Sequence, residues 1–130
     1  MEKINIDMYI RTKDGKIDKI LELNKSYVKG VSQKDELYAY DIDNIVKASY
    51  NITDLIEVGD IITFKNDKDI YRVNCIPNKE NGCECFYLEF DYADKYGVED
   101  IRVFIEEMEN DLESIVTKEQ FSSMEYKVRR

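Results

Sequence analysis

Three cysteines, Cys75, Cys83 and Cys85, are the residues best suited to chemistry, because a C-x7-C-x-C spacing gathers soft thiolate ligands into one short segment. A closed zinc site needs four ligands, and in a chain without histidine only a carboxylate such as Glu84 is at hand to complete it. The stronger reading of such thiols is small buried hydrophobes, above all for Cys75, which sits in an alternating apolar stretch. Cys83 and Cys85 look exposed, but C-x-C lacks the strand-to-helix setting that lowers a thiol pKa in C-x-x-C proteins. No metal and no cofactor is expected.

The missing histidine also removes the commonest general base near neutral pH and every Ser-His or Cys-His nucleophile pair. Asp41 with Asp43, or Glu106 with Glu107, are acids spaced to form an acid-base pair. Paired acids divide into acid and base only where burial drives their pKa values apart, and in so acidic a chain they read as solvated faces. Gly15, Gly30, Gly59, Gly82 and Gly97 stand singly, without a phosphate-cradling pattern. The motif-like run Leu55-Ile56-Glu57-Val58-Gly59-Asp60 reads as a turn device before a β-rich segment. The chain is expected to bind and not to catalyse.

Charge is the most informative global property. Of the net −9, the whole excess falls between Glu84 and Glu113, where eleven acids face two bases, while the rest of the chain has seventeen of each. Such a surface repels nucleic-acid phosphate, so the partner it suits is a protein with a basic surface. Carboxylates three or four residues apart on a helix lie about 5 to 6 Å from each other, a phosphate-like ladder. Glu99, Asp100, Glu106, Glu107, Asp111 and Glu113 are therefore the candidate partner-binding residues. Tyr92 and Tyr96 join them because tyrosine is enriched at interface hot spots.

With 130 residues, 43% apolar and 36% charged, the chain is expected to fold as a single domain over 1–130. It has no apolar run long enough for a bilayer and no signal-peptide pattern at its start, which points to the cytoplasm and reduced thiols.

The elements that must position these residues are short. Met8 to Thr12 and Lys16 to Leu23 read as a hairpin around Asp14-Gly15, since Asp-Gly supplies positive φ. Asn24 to Glu36 reads as a loop carrying Gly30, Leu37 to Tyr40 as a strand, and Asp41 to Ala48 as a helix capped by Asp41. A helical turn over Asn51 to Ile56 stops at Gly59. Ile61 to Phe64 and Ile70 to Ile76 form a second hairpin, and Cys85 to Tyr92 a further strand with Phe86, Leu88 and Phe90 on one face. Ile101, Phe104, Ile105, Met108, Leu112 and Ile115 recur at helical spacing and suggest an acidic amphipathic helix, with a strand over Arg102 to Ile105 as the competing reading because Val103 breaks the stripe. Thr117-Lys118-Glu119-Gln120 fits a capping box. No internal repeat or linker is visible. The sum is an α+β fold, a small strongly bent antiparallel sheet or partly open β-barrel with two or three short helices.

Three blocks carry a resemblance. They are Tyr9-Ile10-Arg11-Thr12-Lys13-Asp14-Gly15-Lys16-Ile17, then Ile45-Val46-Lys47-Ala48-Ser49 with Asn51 to Asp60, and last Ser114 to Phe121 with Met124 to Val128. Their order and spacing resemble small uncharacterised phage and prophage proteins of low-GC Gram-positive bacteria such as clostridia and streptococci. The match lapses between about Asn66 and Asp111. The resemblance implies a phage accessory protein in a bacterial cytoplasm, and brings no catalytic residues with it. By analogy with other small acidic phage proteins, inhibition of host machinery or of a defence effector such as a CRISPR nuclease is the expected role. A phage assembly component and a binder of a signalling nucleotide are the alternatives.

Overall fold

A computed structural model of the chain describes residues 4–78, 80, 82, 84–90 and 101–122, the Phe90 side chain excepted. The chain divides into two compact units, Met1–Leu55 and Ile56–Arg130.

The first unit is one antiparallel sheet of five strands: β1 (Tyr9–Thr12), β2 (Ile17–Leu23), β3 (Tyr27–Ser32), β4 (Leu37–Asp41) and β5 (Ile45–Ser49), in the order β4-β3-β2-β1-β5. The first turn forms as expected, with Gly15 at φ 86° and its amide donating to the Thr12 carbonyl at 3.0 Å. The region 24–36, expected to be a loop, instead contains β3. Gly30 is there because its neighbour on β2 leaves no room: a Cβ would lie 2.9 Å from the Asp18 Cβ. Glycine inside a strand marks such a close approach as readily as it marks a loop.

The expected helix from Asp41 to Ala48 is corrected to a single 3-10 turn, Ile42–Asn44, followed by β5. Asp41 makes no side-chain cap. Ile45 packs into a core with Met8, Ile10, Ile20, Val28 and Tyr40, and pairing of β5 with β1 outweighs the local helical spacing. A second 3-10 turn, Ile52–Leu55, lies where a helical turn is expected.

The second unit is also one antiparallel five-stranded sheet: β6 (Ile61–Phe64), β7 (Ile70–Cys75), β8 (Cys85–Phe90), β9 (Ile101–Phe104) and β10 (Leu112–Val116), in the order β10-β6-β7-β8-β9. Between β9 and β10 runs α1 (Ile105–Asp111). The long acidic amphipathic helix is thus corrected to strand, seven-residue helix and strand. Val103 is buried opposite Phe86, Ile115 is buried opposite Ile62, and Met108 is buried on α1. A three-to-four spacing of apolar residues arises here across two strands and a short helix, and of its members only Met108 and Ile115 are buried, while Phe104 and Ile105 are exposed.

Both sheets have edges and neither closes into a barrel. The architecture is α+β in the general sense: two antiparallel sheets and two short helices, α1 and residues 118–122. The capping box is present, with the Gln120 amide on Thr117 Oγ1 and the Thr117 amide on Gln120 Oε1, both at 3.3 Å.

Candidate functional site

Among the sequence-expected residues, Glu106 and Glu107 occupy the first turn of α1, Asp111 its end and Glu113 the strand β10. All four are exposed. Among the described residues none of them forms an ion pair, and Lys65, which reaches this helix, puts its Nζ 3.3 Å from the Asn110 carbonyl. Glu99, Asp100, Tyr92, Tyr96 and Cys83 lie outside the described residues.

The structure sorts these acids by what they adjoin. Glu107 and Asp111, one helical turn apart, line a pocket of about 350 Å³ in the second unit, and Glu106 and Glu113 do not. Its floor is apolar and buried: Tyr71 from β7, Leu88 from β8 and Val103 from β9, flanked by the half-buried Phe64 and Ile101. Phe64 and Tyr71 meet edge to face at 5.4 Å between ring centroids. The mouth carries the exposed Lys65, Asn66, Glu107 and Asp111, with Asp67 half-buried beside them.

Asp67 is held in place by the turn that connects β6 to β7. Asn66 adopts φ 65°, Asp67 Oδ1 accepts the Asp69 amide at 2.8 Å, and Oδ2 accepts the Tyr71 hydroxyl at 2.6 Å. The Tyr71 hydrogen bond, with help from the backbone, lowers the Asp67 pKa below its ordinary value. The hydroxyl of Tyr71 thereby aims a carboxylate.

A second polar cluster, which the sequence does not reveal, lies in the first unit. Asp18, 2% exposed, accepts the Tyr40 hydroxyl at 2.7 Å through the gap that Gly30 leaves. Burial raises the Asp18 pKa above its ordinary value, against the opposing pull of Tyr40 and Lys16, and burial with the Asp18 carboxylate raises that of Tyr40. Lys16 Nζ lies 4.5 Å from the Tyr38 ring centroid, and the Tyr38 hydroxyl donates to Glu36 at 3.0 Å. The sequence carries only the alternation of Tyr38 and Tyr40 on a strand, and their pairing with β3, Gly30 opposite Tyr38, comes from the fold. A shallow hollow of about 340 Å³ that Tyr38 also lines involves Leu21, Glu22, Lys29, Leu37 and Ala39, with Leu37 70% exposed on the edge strand β4.

The thiols change places relative to expectation. Cys85 is buried and Cys75 is exposed. The register of β7 against β8 shifts between Val73 and Cys75, so the inward phase of Tyr71 and Val73 is lost one step later. Among the described residues no group of three His, Cys, Asp or Glu side chains is placed to hold a metal ion. Asp41 and Asp43 are exposed on either side of the start of the 3-10 turn, as a solvated face.

Gly59 and Asp60 form a structural staple. Gly59 takes φ 97°, and Asp60, fully buried, accepts the Glu57 amide at 2.8 Å and the Lys118 amide at 3.0 Å. One carboxylate therefore closes a turn and caps the helix at 118–122. Lys118 Nζ reaches back to Glu57 at 3.1 Å.

No helix among the described residues is long and apolar enough to cross a membrane. No family model matches the chain, and neither a curated protein nor a solved structure is significantly similar to it.

Proposed function

We propose that the chain is a phage-encoded accessory protein that binds and inhibits a host protein in the bacterial cytoplasm, through the acidic surface of its second unit. A nucleic-acid-handling defence effector, such as a CRISPR nuclease, is the class of target this reading favours, because its phosphate-binding groove is basic. The observation that carries the reading is the set of exposed carboxylates on α1 and β10, which form no ion pair among the described residues. Unneutralised charge of one sign steers association with a basic partner and excludes nucleic acid from the same surface. The resemblance of the three sequence blocks to phage proteins is what supports the origin. The finer architecture that goes with it is a strongly bent sheet in each unit, in line with the bulges between Ile20 and Glu22 and between Leu112 and Ser114.

The test is charge reversal of Glu106, Glu107 and Asp111 to lysine, read by capture of basic host proteins at low salt. Loss of capture is expected, and unchanged capture contradicts the proposal. Self-assembly as a phage structural component has its own support in the exposed Leu37 and Leu21. Light scattering separates the two: large oligomers that persist at high salt indicate assembly. A signalling nucleotide is the least supported ligand, since a pocket mouth of carboxylates repels phosphate.

A further inference from the structure

An apolar floor under an acidic mouth is a specific combination. Carboxylates that serve only solubility need no concave surface beneath them, and an apolar pocket for a neutral ligand gains nothing from three acids at its opening. A guanidinium group on an aliphatic stem satisfies both halves. Its methylenes cover apolar walls, its plane stacks on aromatic rings, and its fork of N–H donors matches carboxylates.

We propose that the pocket between Phe64, Tyr71, Leu88, Glu107 and Asp111 receives an arginine side chain of the partner protein, with Asp67 fixed as one of its acceptors. The proposal rests on the protein-binding reading above and names the group that the acidic surface recognises. Charge complementarity selects this occupant. Among the described residues that line the pocket Lys65 is the one base, and its ammonium is directed at the Asn110 carbonyl, while three carboxylates surround the opening. The volume of about 350 Å³ accommodates one long side chain together with part of its backbone. Asp67 is preorganised, since the Tyr71 hydroxyl and the Asp69 amide hold its carboxylate before any ligand arrives. A chelated metal ion is not the occupant, because among the described residues the acids are not gathered closely enough for one. Arginine is favoured over lysine because the guanidinium is the less strongly hydrated cation and suits the aromatic lining that the half-buried Phe64 contributes.

The probe is N-acetyl-Gly-Arg-Gly-amide, titrated into the full chain and followed by amide chemical shifts, with the corresponding lysine and glutamine peptides as controls. Saturable shifts centred on Phe64, Tyr71, Leu88 and Val103 are expected with the arginine peptide and none with glutamine. The exposed substitutions Glu107→Gln with Asp111→Asn weaken binding at least about fivefold, whereas Glu84→Gln with Glu109→Gln, exposed acids of the same segment outside the pocket, changes it by less than about twofold. Three results overturn the proposal: no saturable shift, an equal response to the lysine or glutamine peptide, or equal weakening by the two pairs of substitutions. The same two pairs applied to host-protein capture separate this failure from failure of the parent reading. If both pairs weaken capture alike, the acidic surface stands and the pocket falls. If neither does, both fall.

Discussion

The two units share one strand order and differ in the charge they carry. In each, four strands run as a meander, a short helical segment follows the fourth, and the fifth strand returns to pair with the first. The order β4-β3-β2-β1-β5 maps onto β9-β8-β7-β6-β10 strand for strand. Yet the first unit holds ten acids and nine bases, near neutrality, while the second holds eighteen acids and ten bases. The interval between the fourth and fifth strands shows the contrast on a small scale: a 3-10 turn with one acid in the first unit, and α1 with Glu106, Glu107, Glu109 and Asp111 in the second. Topology is set by which strands bury apolar side chains against one another, and charge on the outer surface is free to diverge. The same strand order thus occurs once near neutrality and once with a strong acidic excess, and the pocket lined by Phe64, Tyr71, Glu107 and Asp111 lies in the acidic unit.

The sharpest test of this equivalence is in the cores. Ile20→Ala in the first unit and Met108→Ala in the second each remove a fully buried side chain, and each is expected to cost about 2–5 kcal/mol in urea denaturation. A marked inequality would show that the shared strand order does not carry comparable packing. Asp60→Ala is next, at about 2–4 kcal/mol, because it removes a buried carboxylate that accepts from the Glu57 and Lys118 amides at once. Gly30→Ala should cost about 1–3 kcal/mol by the same measurement, since the added methyl meets the Asp18 Cβ and the Lys19 carbonyl oxygen, the latter at 3.2 Å.

Acid separates the units by sign. Asp18 binds its proton more readily folded than unfolded, so protonating it as pH falls toward 3.8 relieves the folded state, and its burial weighs against folding at higher pH. Asp67 behaves in the opposite way: its contribution is present above 3.8 and is lost as pH falls through its lowered folded value. Carboxyl carbon shifts should therefore place the midpoint of Asp18 above 3.8 and that of Asp67 below it, and a reversed order would break the comparison. The smallest effect is expected from Glu106→Gln, within about 0.5 kcal/mol of the parent stability, because an exposed acid without an ion partner supports binding and contributes little to folding.

Features that depend on one residue and its immediate neighbours were legible in the sequence. The Asp14-Gly15 turn, the Thr117 to Gln120 capping box and the punctuating role of Gly59 all appear where their local chemistry places them. Features decided by distant partners were not. Ile42, Ile45 and Val46 have helical spacing, but β1 supplies the hydrogen bonds that make residues 45–49 a strand. Gly30 resembles a loop residue until Asp18, twelve positions earlier, is seen beside it. The acidic stretch was legible as composition, while its division into pocket acids and surface acids depended on Phe64 and Tyr71 arriving from another hairpin. The duplicated strand order was illegible because it has no counterpart in the order of residue types.

Pairing of the first and fifth strands has a further consequence. Tyr9 at the start of β1 sits opposite Ser49 at the end of β5, and Ile61 at the start of β6 sits opposite Val116 at the end of β10. Each unit is therefore a bead whose thread enters and leaves at neighbouring points. Adjoining ends of this kind are what suits a module to being opened at a distant hairpin and rejoined at its own ends.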